Sequence, residues 1–367
     1  MEIKTAHSIN MDMNGMTDEI VRSLIDRPYL IMAFASPKYD LETLGKKLQG
    51  RYKEAIVIGC TTSGELVSGK MADGSVVTMG LPKELVKEVA VATINGLSRP
   101  DGVAEALAVL SKKLGKNILE LDPREYVGII LIDGLRSAEE RVMDALGNAC
   151  DITWIGGSAG DDLAFKQTKV FADGKAMSDS AVLALLHVPN GFDILKTQSF
   201  TSTGMKMVAT EVNESARTVI SFDGKPAAKR YAELLGVEVK DLQEKFMASP
   251  VGLMANGEPF VRSPQRLDGD NIVFYCNIKQ GTELQILRSG DIVMDTRRDL
   301  MENNRRAGRP KAIINFNCIL RTLELKSKGQ AVAYGQVFAN VPTIGFSTYG
   351  EEYIGHINQT ATMLLLK

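Results

Sequence analysis

The sequence predicts an α/β protein: two similar lobes of mixed sheets with flanking helices, built from a repeated strand–helix–strand–hairpin unit. Three observations carry this expectation. The stretch Ile58–Glu65 returns in altered form as Ile155–Asp162 and Ile344–Glu351, each opening on Ile-Gly and closing on an acid after a hydroxyl-bearing turn. Ahead of each lies an apolar run and then a segment of helical spacing. Behind each come further short apolar runs, two of them divided by Asp-Gly, a residue pair favoured in two-residue hairpins. Strand–helix–strand order demands a parallel pair with a crossover, and hairpins add antiparallel neighbours. A glycine at the exit of an apolar run allows φ > 0 or a close backbone approach, so the three turns are expected to face a common site.

From the N-terminus, Glu2–Ser8 reads as a strand and Met16–Ile25 as a helix capped by Thr17 or Asp18. The run Tyr29–Ala35 passes through Ser36-Pro37 to Asp40–Tyr52, where Leu41, Leu44 and Leu48 share a helical face. After the first turn, Leu66–Leu81 reads as a hairpin turning at Asp73-Gly74. Val86–Ile94 is then a strand, and Asp101–Leu114 a helix closed by Gly115. Tyr126–Ile132 and Ser137–Cys150 repeat the strand and helix, with Ser137 and Glu140 in a capping-box spacing. The second turn leads to a hairpin at Lys169–His187, reversing at Asp173-Gly174, and to a strand at Phe192–Phe200.

In the second half, Arg217–Phe222, Pro226–Leu235 and Val251–Glu258 read as a degenerate fourth copy, with Phe260–Arg262 and Asn271–Ile278 as its hairpin. Thr282–Leu287 and Asp291–Asn304 mirror the earlier strand and helix. Ala312–Phe316, Asn317–Leu325 and Ala331–Phe338 lead to the third turn, and Glu352–Leu366 holds its hairpin, turning near Gly355–Asn358. The halves thereby share one order of elements. That suggests duplication about a pseudo-two-fold, with the domains placed at 1–207 and 208–367.

Composition narrows the function. Lys and Arg number 43 against 45 Asp and Glu, for a net charge of −2, which argues against a general nucleic-acid binder. The cluster Arg297, Arg298, Arg305, Arg306, Arg309 and Lys311 reads as a solvated helix face and loop. No apolar run approaches the roughly 18 residues of a membrane span, and Met1–Asn14 lacks the pattern of a secretory signal. The expectation is a cytoplasmic protein without membrane insertion. Cys60, Cys150, Cys276 and Cys318 fall in no CxxC spacing and suit a reducing compartment. With His7, His187 and His356 the only histidines, no multi-histidine metal centre is expected.

The candidate chemistry lies at the strand ends. Arg321 can hold a ligand carboxylate bidentately; its alternative partners are Glu324 and Glu351. Thr61, Thr62, Ser158, Ser347 and Thr348 supply hydroxyls. Glu65, Asp161 and Glu351 supply acids that can meet an ammonium or bind local amides. Cys60 and Cys318, at matching strand ends, read as buried small hydrophobes. A nucleophilic Cys60 or Ser158 would need a neighbouring base, and histidines are scarce. Gly156–Gly160 lacks both the P-loop and the dinucleotide pattern.

The ordered set of stretches Ala35-Ser36-Pro37, Ile58–Glu65, Gly156–Asp162 with Lys169–Leu186, Ser221–Ala227, Tyr231–Gly236, Phe316-Asn317-Cys318 with Arg321, and Gly345–Glu351 with His356–Thr360 resembles the FIST sensory domains of bacterial signal transduction. Both the N- and C-terminal regions of that family are matched, from about residue 28 to the end. The resemblance implies a small-ligand sensor, with an amino acid among the proposed ligands. It implies an output through a separate signalling protein, such as a histidine kinase, a cyclic-dinucleotide enzyme or a chemoreceptor. It also carries an alternative, a haem-binding nitric-oxide sensor, for which His356 and His187 are the candidate ligands; the absence of CxxCH makes any haem non-covalent. An enzyme with a Cys60 or Ser158 nucleophile is a second alternative.

Overall fold

The computed structural model describes residues 3–255 and 257–367. Glu2, where the first predicted strand begins, and Asn256, within the degenerate fourth copy, lie outside the described residues. The chain runs through β1 (Lys4–Ser8), α1 (Met13–Ser23), β2 (Leu30–Ala35), α2 (Leu41–Arg51), β3 (Ile56–Thr61), β4 (Glu65–Val67), β5 (Lys70–Ala72), β6 (Val76–Leu81), β7 (Glu88–Asn95) and α3 (Gly102–Leu114). It continues with β8 (Tyr126–Asp133), α4 (Glu139–Ala149), β9 (Thr153–Ala159), β10 (Val170–Ala172), β11 (Lys175–Met177), β12 (Ser180–His187) and β13 (Phe192–Thr197). Next come β14 (Phe200–Asn213), β15 (Thr218–Phe222), β16 (Lys225–Pro226), α5 (Ala227–Leu235), β17 (Val251–Ala255), β18 (Glu258–Arg262), β19 (Pro264–Asp268), β20 (Asn271–Phe274), β21 (Glu283–Ser289) and α6 (Ile292–Ala307). The last elements are β22 (Ala312–Cys318), α7 (Ile319–Ser327), α8 (Ala331–Gln336), β23 (Thr343–Thr348), β24 (Glu351–Tyr353), β25 (His356–Ile357) and β26 (Ala361–Leu366).

Local chemistry accounts for most of the boundaries. Asp40 caps α2 by accepting the Thr43 N–H at 2.8 Å, and α3 stops where Gly115 turns left-handed. The cap of α1 is Asp12, which accepts the Gly15 N–H at 2.8 Å, rather than Thr17 or Asp18. The Ser137 capping box does not form. Ser137 sits at φ 48°, α4 starts at Glu139 with Ala138 in the cap position, and no side-chain hydrogen bond closes that end.

Two compact α/β units result: residues 1–197, 296–356 and 361–367 form one, and 198–295 with 357–360 the other. In the first, three six-stranded mixed sheets share one plan, in the orders β1-β6-β2-β3-β10-β11, β7-β12-β8-β9-β24-β25 and β13-β26-β22-β23-β4-β5. Each has a parallel pair at its centre: β2 with β3, β8 with β9, β22 with β23. Two antiparallel strands lie on one side and a short hairpin on the other.

The hairpins are exchanged between sheets. The β4–β5 hairpin follows β3 but pairs with β23, β10–β11 follows β9 but pairs with β3, and β24 follows β23 but pairs with β9. This corrects one turn assignment. Asp73-Gly74 does not close a hairpin; it passes the chain from β5 in one sheet to β6 in another, and the reversal between β4 and β5 falls at Ser68-Gly69. Asp173-Gly174 does close β10–β11, with φ of 50° and 77°. Ile354-Gly355 reverses the third hairpin, at φ 50° and 111°.

The sheets pack on both faces. Ile58, Ile155 and Ile344, each fully buried, lie in one core with Phe34, Val127 and Phe316, so all three sheets contribute to it. On the opposite faces, α1 and α2 cover the first sheet, α3 and α4 the second, and α7 lies against β22 and β23 of the third. Cys60, Gly157 and Phe346 hold the matching inward position of the three Ile-Gly strands. A Cβ on Gly157 would come within 2.4 Å of the Thr348 methyl and 3.1 Å of the Phe316 and Phe346 rings, so a residue without one makes room for these neighbours.

The glycine of Ile-Gly has a different cause from the turn first expected. None of Gly59, Gly156 and Gly345 lies at positive φ. A Cβ on them would stand 2.1, 1.8 and 2.1 Å from the carbonyl oxygens of Ala33, Ile130 and Asn315, their register partners on the neighbouring parallel strand. Only glycine permits that approach.

The second unit has the sheet order β18-β17-β21-β14-β15-β20-β19, with β16 beside β15, and its described pairings are antiparallel. The stretch predicted as a fourth copy therefore differs: β17 turns directly into β18 and its other edge is taken by β21, so it forms no parallel pair with β15. The shared plan relates three sheets of one unit, not two halves of the chain. The predicted division at 207/208 falls inside β14, and the compact units part at Thr197. No helix among the described residues is long and apolar enough to cross a membrane.

Replacing Gly156 with Ala is expected to destabilise the protein by about 3 kcal/mol, because its Cβ meets backbone that cannot yield cheaply. Gly50→Ala, in α2 with nothing near its Cβ, is expected to stabilise by about 0.5–1 kcal/mol. Urea unfolding of the two variants decides it; equal effects would remove the close-approach explanation.

Candidate functional site

The three Ile-Gly strands end in a ring closed by backbone hydrogen bonds. Ser347 N–H donates to the Gly64 carbonyl at 2.7 Å, and Ser63 N–H to the Ser347 carbonyl at 3.3 Å. Gly160 N–H donates to Thr61 at 3.0 Å, and Asp162 N–H to Thr62 at 3.2 Å. Ser158 N–H donates to Gly350 at 2.9 Å, and Tyr349 N–H to Ser158 at 3.1 Å. Each turn thus contacts the other two. The ring brings Thr61, Thr62, Glu65, Ser158, Asp161, Ser347, Thr348 and Glu351 together, all of them buried.

Two turns repeat a threonine–glutamate pair. The Thr62 hydroxyl donates to Glu65, and the Thr348 hydroxyl donates to Glu351 at 2.6 Å. Glu65 also accepts from the Ser75 N–H and hydroxyl at 3.0 and 2.6 Å. Burial nevertheless pushes its carboxyl up to about 7, against the pull of those hydrogen bonds. In the second turn the residue matching Glu65 and Glu351 is Asp162, which accepts from Ser36 Oγ at 2.8 Å and which sequence inspection passed over for Asp161. Asp161 binds its own loop. Its carboxylate accepts the Phe165, Lys166 and Gln167 N–H groups at 2.9, 2.6 and 2.9 Å and the Tyr349 hydroxyl at 2.5 Å.

Arg321 is the centre of a buried polar network leading into the ring. It is 1% exposed. Its Nε donates to Asn317 Oδ1 at 3.1 Å, one terminal nitrogen donates to Thr296 Oγ1 at 2.9 Å, and its guanidinium lies over the Tyr334 ring at 5.7 Å. The other terminal nitrogen is buried without a hydrogen-bond partner, and no acidic side chain among the described residues pairs with it. Both acids considered as partners have other contacts: Glu324 binds Lys328 at 2.6 Å and Glu351 holds Thr348. From Asn317 the network continues through Thr322 (2.9 Å) to Ser347 (2.7 Å), with the Tyr334 hydroxyl donating to Asn317 at 2.9 Å. Asn317 stands at the strand end that the sequence already marks with Cys318 and Arg321; Thr322 and Tyr334 were not expected, and their spacing from Arg321 on two short helices was the available signal.

Ser158 belongs to a second buried cluster. Its hydroxyl lies 2.8 Å from Glu352 Oε1 and 3.2 Å from Glu139 Oε1, and His356 Nδ1 stands 3.6 Å from the same Glu352 oxygen. One hydroxyl proton between two carboxyls favours a protonated glutamate, and burial pushes Glu352 up to about 7 despite the nearby imidazole. Burial alone would lower His356, but Glu352, Glu139 and Glu140 outweigh it and raise the imidazole to about 9. The imidazole packs on Gly350, where a Cβ would lie 1.9 Å from its Cε1. Ser158 meets carboxyls rather than an imidazole.

Cys60 is fully buried in the shared core, and burial raises its thiol well above the ordinary range. Cys318 is buried at the start of α7. His187 stacks on Tyr126 at 4.5 Å, with Glu125 at 3.1 Å. It lies on β12, four strands from β25 and His356 in the same sheet, about 19 Å away at ordinary strand spacing. The two histidines therefore cannot grip one haem together. Among the described residues no group of His, Cys, Asp and Glu is arranged to hold a metal ion.

Known proteins bear on this arrangement. The FIST N domain model matches residues 29–225 and the FIST C domain model residues 227–353. An uncharacterized protein of Methanocaldococcus jannaschii is 25% identical over 186 residues, which are 47% of this chain and 36% of that protein. The chain thus spans about a third of that relative's length. A crystal structure of the cyanuric acid hydrolase of A. caulinodans aligns over 100% of this chain and 99% of its own with 10% identity and a TM-score of 0.30, too slight a likeness to carry fold or chemistry across.

The Glu352–His356 pair sets a pH dependence. His356 favours its charged form in the fold, so its contribution is complete below about pH 6.5 and is lost as pH rises through about 9. Glu352 and Glu65 favour their neutral forms, and that contribution is lost as pH rises from about 4.5 through about 7. Thermal unfolding midpoints are expected to fall on the alkaline side, and His356→Gln is expected to flatten the part between about pH 7 and 9.5. A His356→Gln profile parallel to wild type would contradict the assignment.

Proposed function

This chain belongs to the FIST family of sensory signal-transduction domains, and from that premise we propose that it senses a small molecule carrying a carboxylate, an amino acid in the first instance, at Arg321. The observation that carries the reading is a buried charge without a counter-charge. A fully desolvated guanidinium with one idle nitrogen costs several kcal/mol unless an anion joins it. A ligand carboxylate supplies that anion in the planar, bidentate geometry arginine favours. The hydroxyls of Ser347 and Thr348 and the carboxylate of Glu351 belong to the turn reached through Asn317 and Thr322, and they suit the ammonium end of a zwitterion.

The same network supplies a route for the signal. An anion at Arg321 redistributes hydrogen bonds through Asn317, Thr322 and Ser347 into a ring whose three members hold one another by backbone bonds. The recipient is a separate signalling protein, such as a histidine kinase, a cyclic-dinucleotide enzyme or a chemoreceptor. The repeated threonine–glutamate pairs point to one ancestral unit copied around the ring. Catalysis by Ser158 or Cys60 draws no support from their surroundings: the hydroxyl is held by carboxyls and the thiol is sealed in the core with its pKa raised. Haem would have to be held through His356 or His187 singly.

A thermal-shift screen of the standard amino acids and small organic acids on wild type and Arg321→Met tests the reading. Without ligand, Arg321→Met is expected to melt at or above the wild-type midpoint, because the uncompensated charge is gone. The ligand that stabilises wild type is expected to bind the variant roughly ten- to a hundred-fold more weakly. A variant that melts well below wild type yet keeps full ligand stabilisation would make Arg321 structural and end the proposal.

A further inference from the structure

A separate cavity of about 340 Å3 lies in the first unit between α4, the start of β9 and the tip of the β24–β25 hairpin. Its size falls in the range of small-molecule sites, about 300–1,000 Å3. The wall is mixed: Met143, Leu146, Ile152, Trp154 and Ile354 give it apolar surface, and Asp144, Asn148 and Thr153 give it polar groups. Two features distinguish it from an incidental gap. Trp154 is 3% exposed, and its indole N–H is buried with no acceptor among the described residues. A buried donor of that kind is costly until an acceptor arrives, and indoles in folded proteins ordinarily find one. Ile354, at the hairpin tip, is 74% exposed and held at φ 50°, a conformation that β-branched residues rarely adopt. Strain and exposure of a large apolar side chain coincide at the rim of the same cavity.

The geometry points to a binding site for a small amphipathic amide. Its apolar body would rest on Met143, Leu146 and Ile152, an ammonium would face Asp144, and its carbonyl oxygen would accept from the Trp154 indole, whose N–H is shielded in this structure and is presented only when the ring turns. The site is independent of Arg321 and of the sensing reading given for it. Occupancy nonetheless reaches the polar interior, because the hairpin that forms the rim carries Glu352 before the tip and His356 after it.

Trp154 is the sole tryptophan of the chain and lines this cavity, so tryptophan emission follows its occupancy. Phenylalaninamide is the probe, with 3-phenylpropanamide as the same skeleton lacking the ammonium. Titration of wild type with phenylalaninamide is expected to change the emission saturably. Calorimetry is expected to show about ten-fold weaker binding in Trp154→Phe, which keeps the packing and removes the donor. Asp144→Asn is expected to weaken phenylalaninamide several-fold and leave 3-phenylpropanamide unchanged. Gly147→Leu, at an exposed helical glycine with nothing near its Cβ, fills the cavity without disturbing the fold and is expected to abolish binding of both; it keeps the test open should Trp154→Phe fail to fold. Linear, unsaturable quenching would overturn the proposal. So would saturable binding that survives Gly147→Leu, or binding lost in Arg321→Met, which would place the probe at the other site.

Discussion

The first unit depends on how closely two parallel strands approach at three places. At Gly59, Gly156 and Gly345 the backbone sits against the partner carbonyl with no room for a Cβ. That contact does two things at once. It turns the preceding isoleucine inward, so that Ile58, Ile155 and Ile344 meet in one core, and it delivers the following hydroxyl-bearing residues to the ring of turns. The Ile-Gly dipeptide is thus a packing constraint first, and the chemistry of the site is positioned by it.

Around that constraint the protein concentrates polar groups that water cannot reach. Thr62 with Glu65, Thr348 with Glu351, Ser158 with Glu139 and Glu352, and Arg321 with Asn317 and Thr296 are all buried, and each satisfies part of its hydrogen-bonding capacity locally. In a low-dielectric interior such networks fix a single arrangement when complete and leave a marked energetic gap when incomplete. Arg321 and the Trp154 indole are two of the groups left incomplete. Partial satisfaction is costly to a static scaffold and useful to a sensor, whose empty and filled states must differ in stability.

Much of this could be read from the residues, and the misses have physical causes. Helices announced by capping and spacing formed where expected, as at Asp40 and Gly115, because those signals act within a few residues. Asp173-Gly174 closed its hairpin for the same reason. Asp73-Gly74 has the same dipeptide but links two sheets, since the partner of β4 is decided by β23 in the distant C-terminal part of the chain. Asp161 outscored Asp162 on paper because nothing in one sequence shows which acid points to its own loop amides. The lack of a counter-ion at Arg321 was invisible for a related reason: Glu324 and Glu351 are near it in sequence or motif, and only the fold shows them occupied elsewhere. The parallel pairing expected of the fourth stretch failed because β18 and β21 take the two edges of β17.

The exchanged hairpins also bear on how the protein comes into being. During synthesis the β4–β5 ribbon leaves the ribosome long before β23, the strand whose edge it completes, has been made. Until then that ribbon and the open edge of β3, which waits for β10, are unpaired strands of the sort that invite wrong partners. No one sheet of the three can be finished from its own stretch of chain. Closure is therefore a late, collective event with long loops to pay out first, and a slow, chaperone-sensitive folding phase in the nascent polypeptide follows from the topology itself.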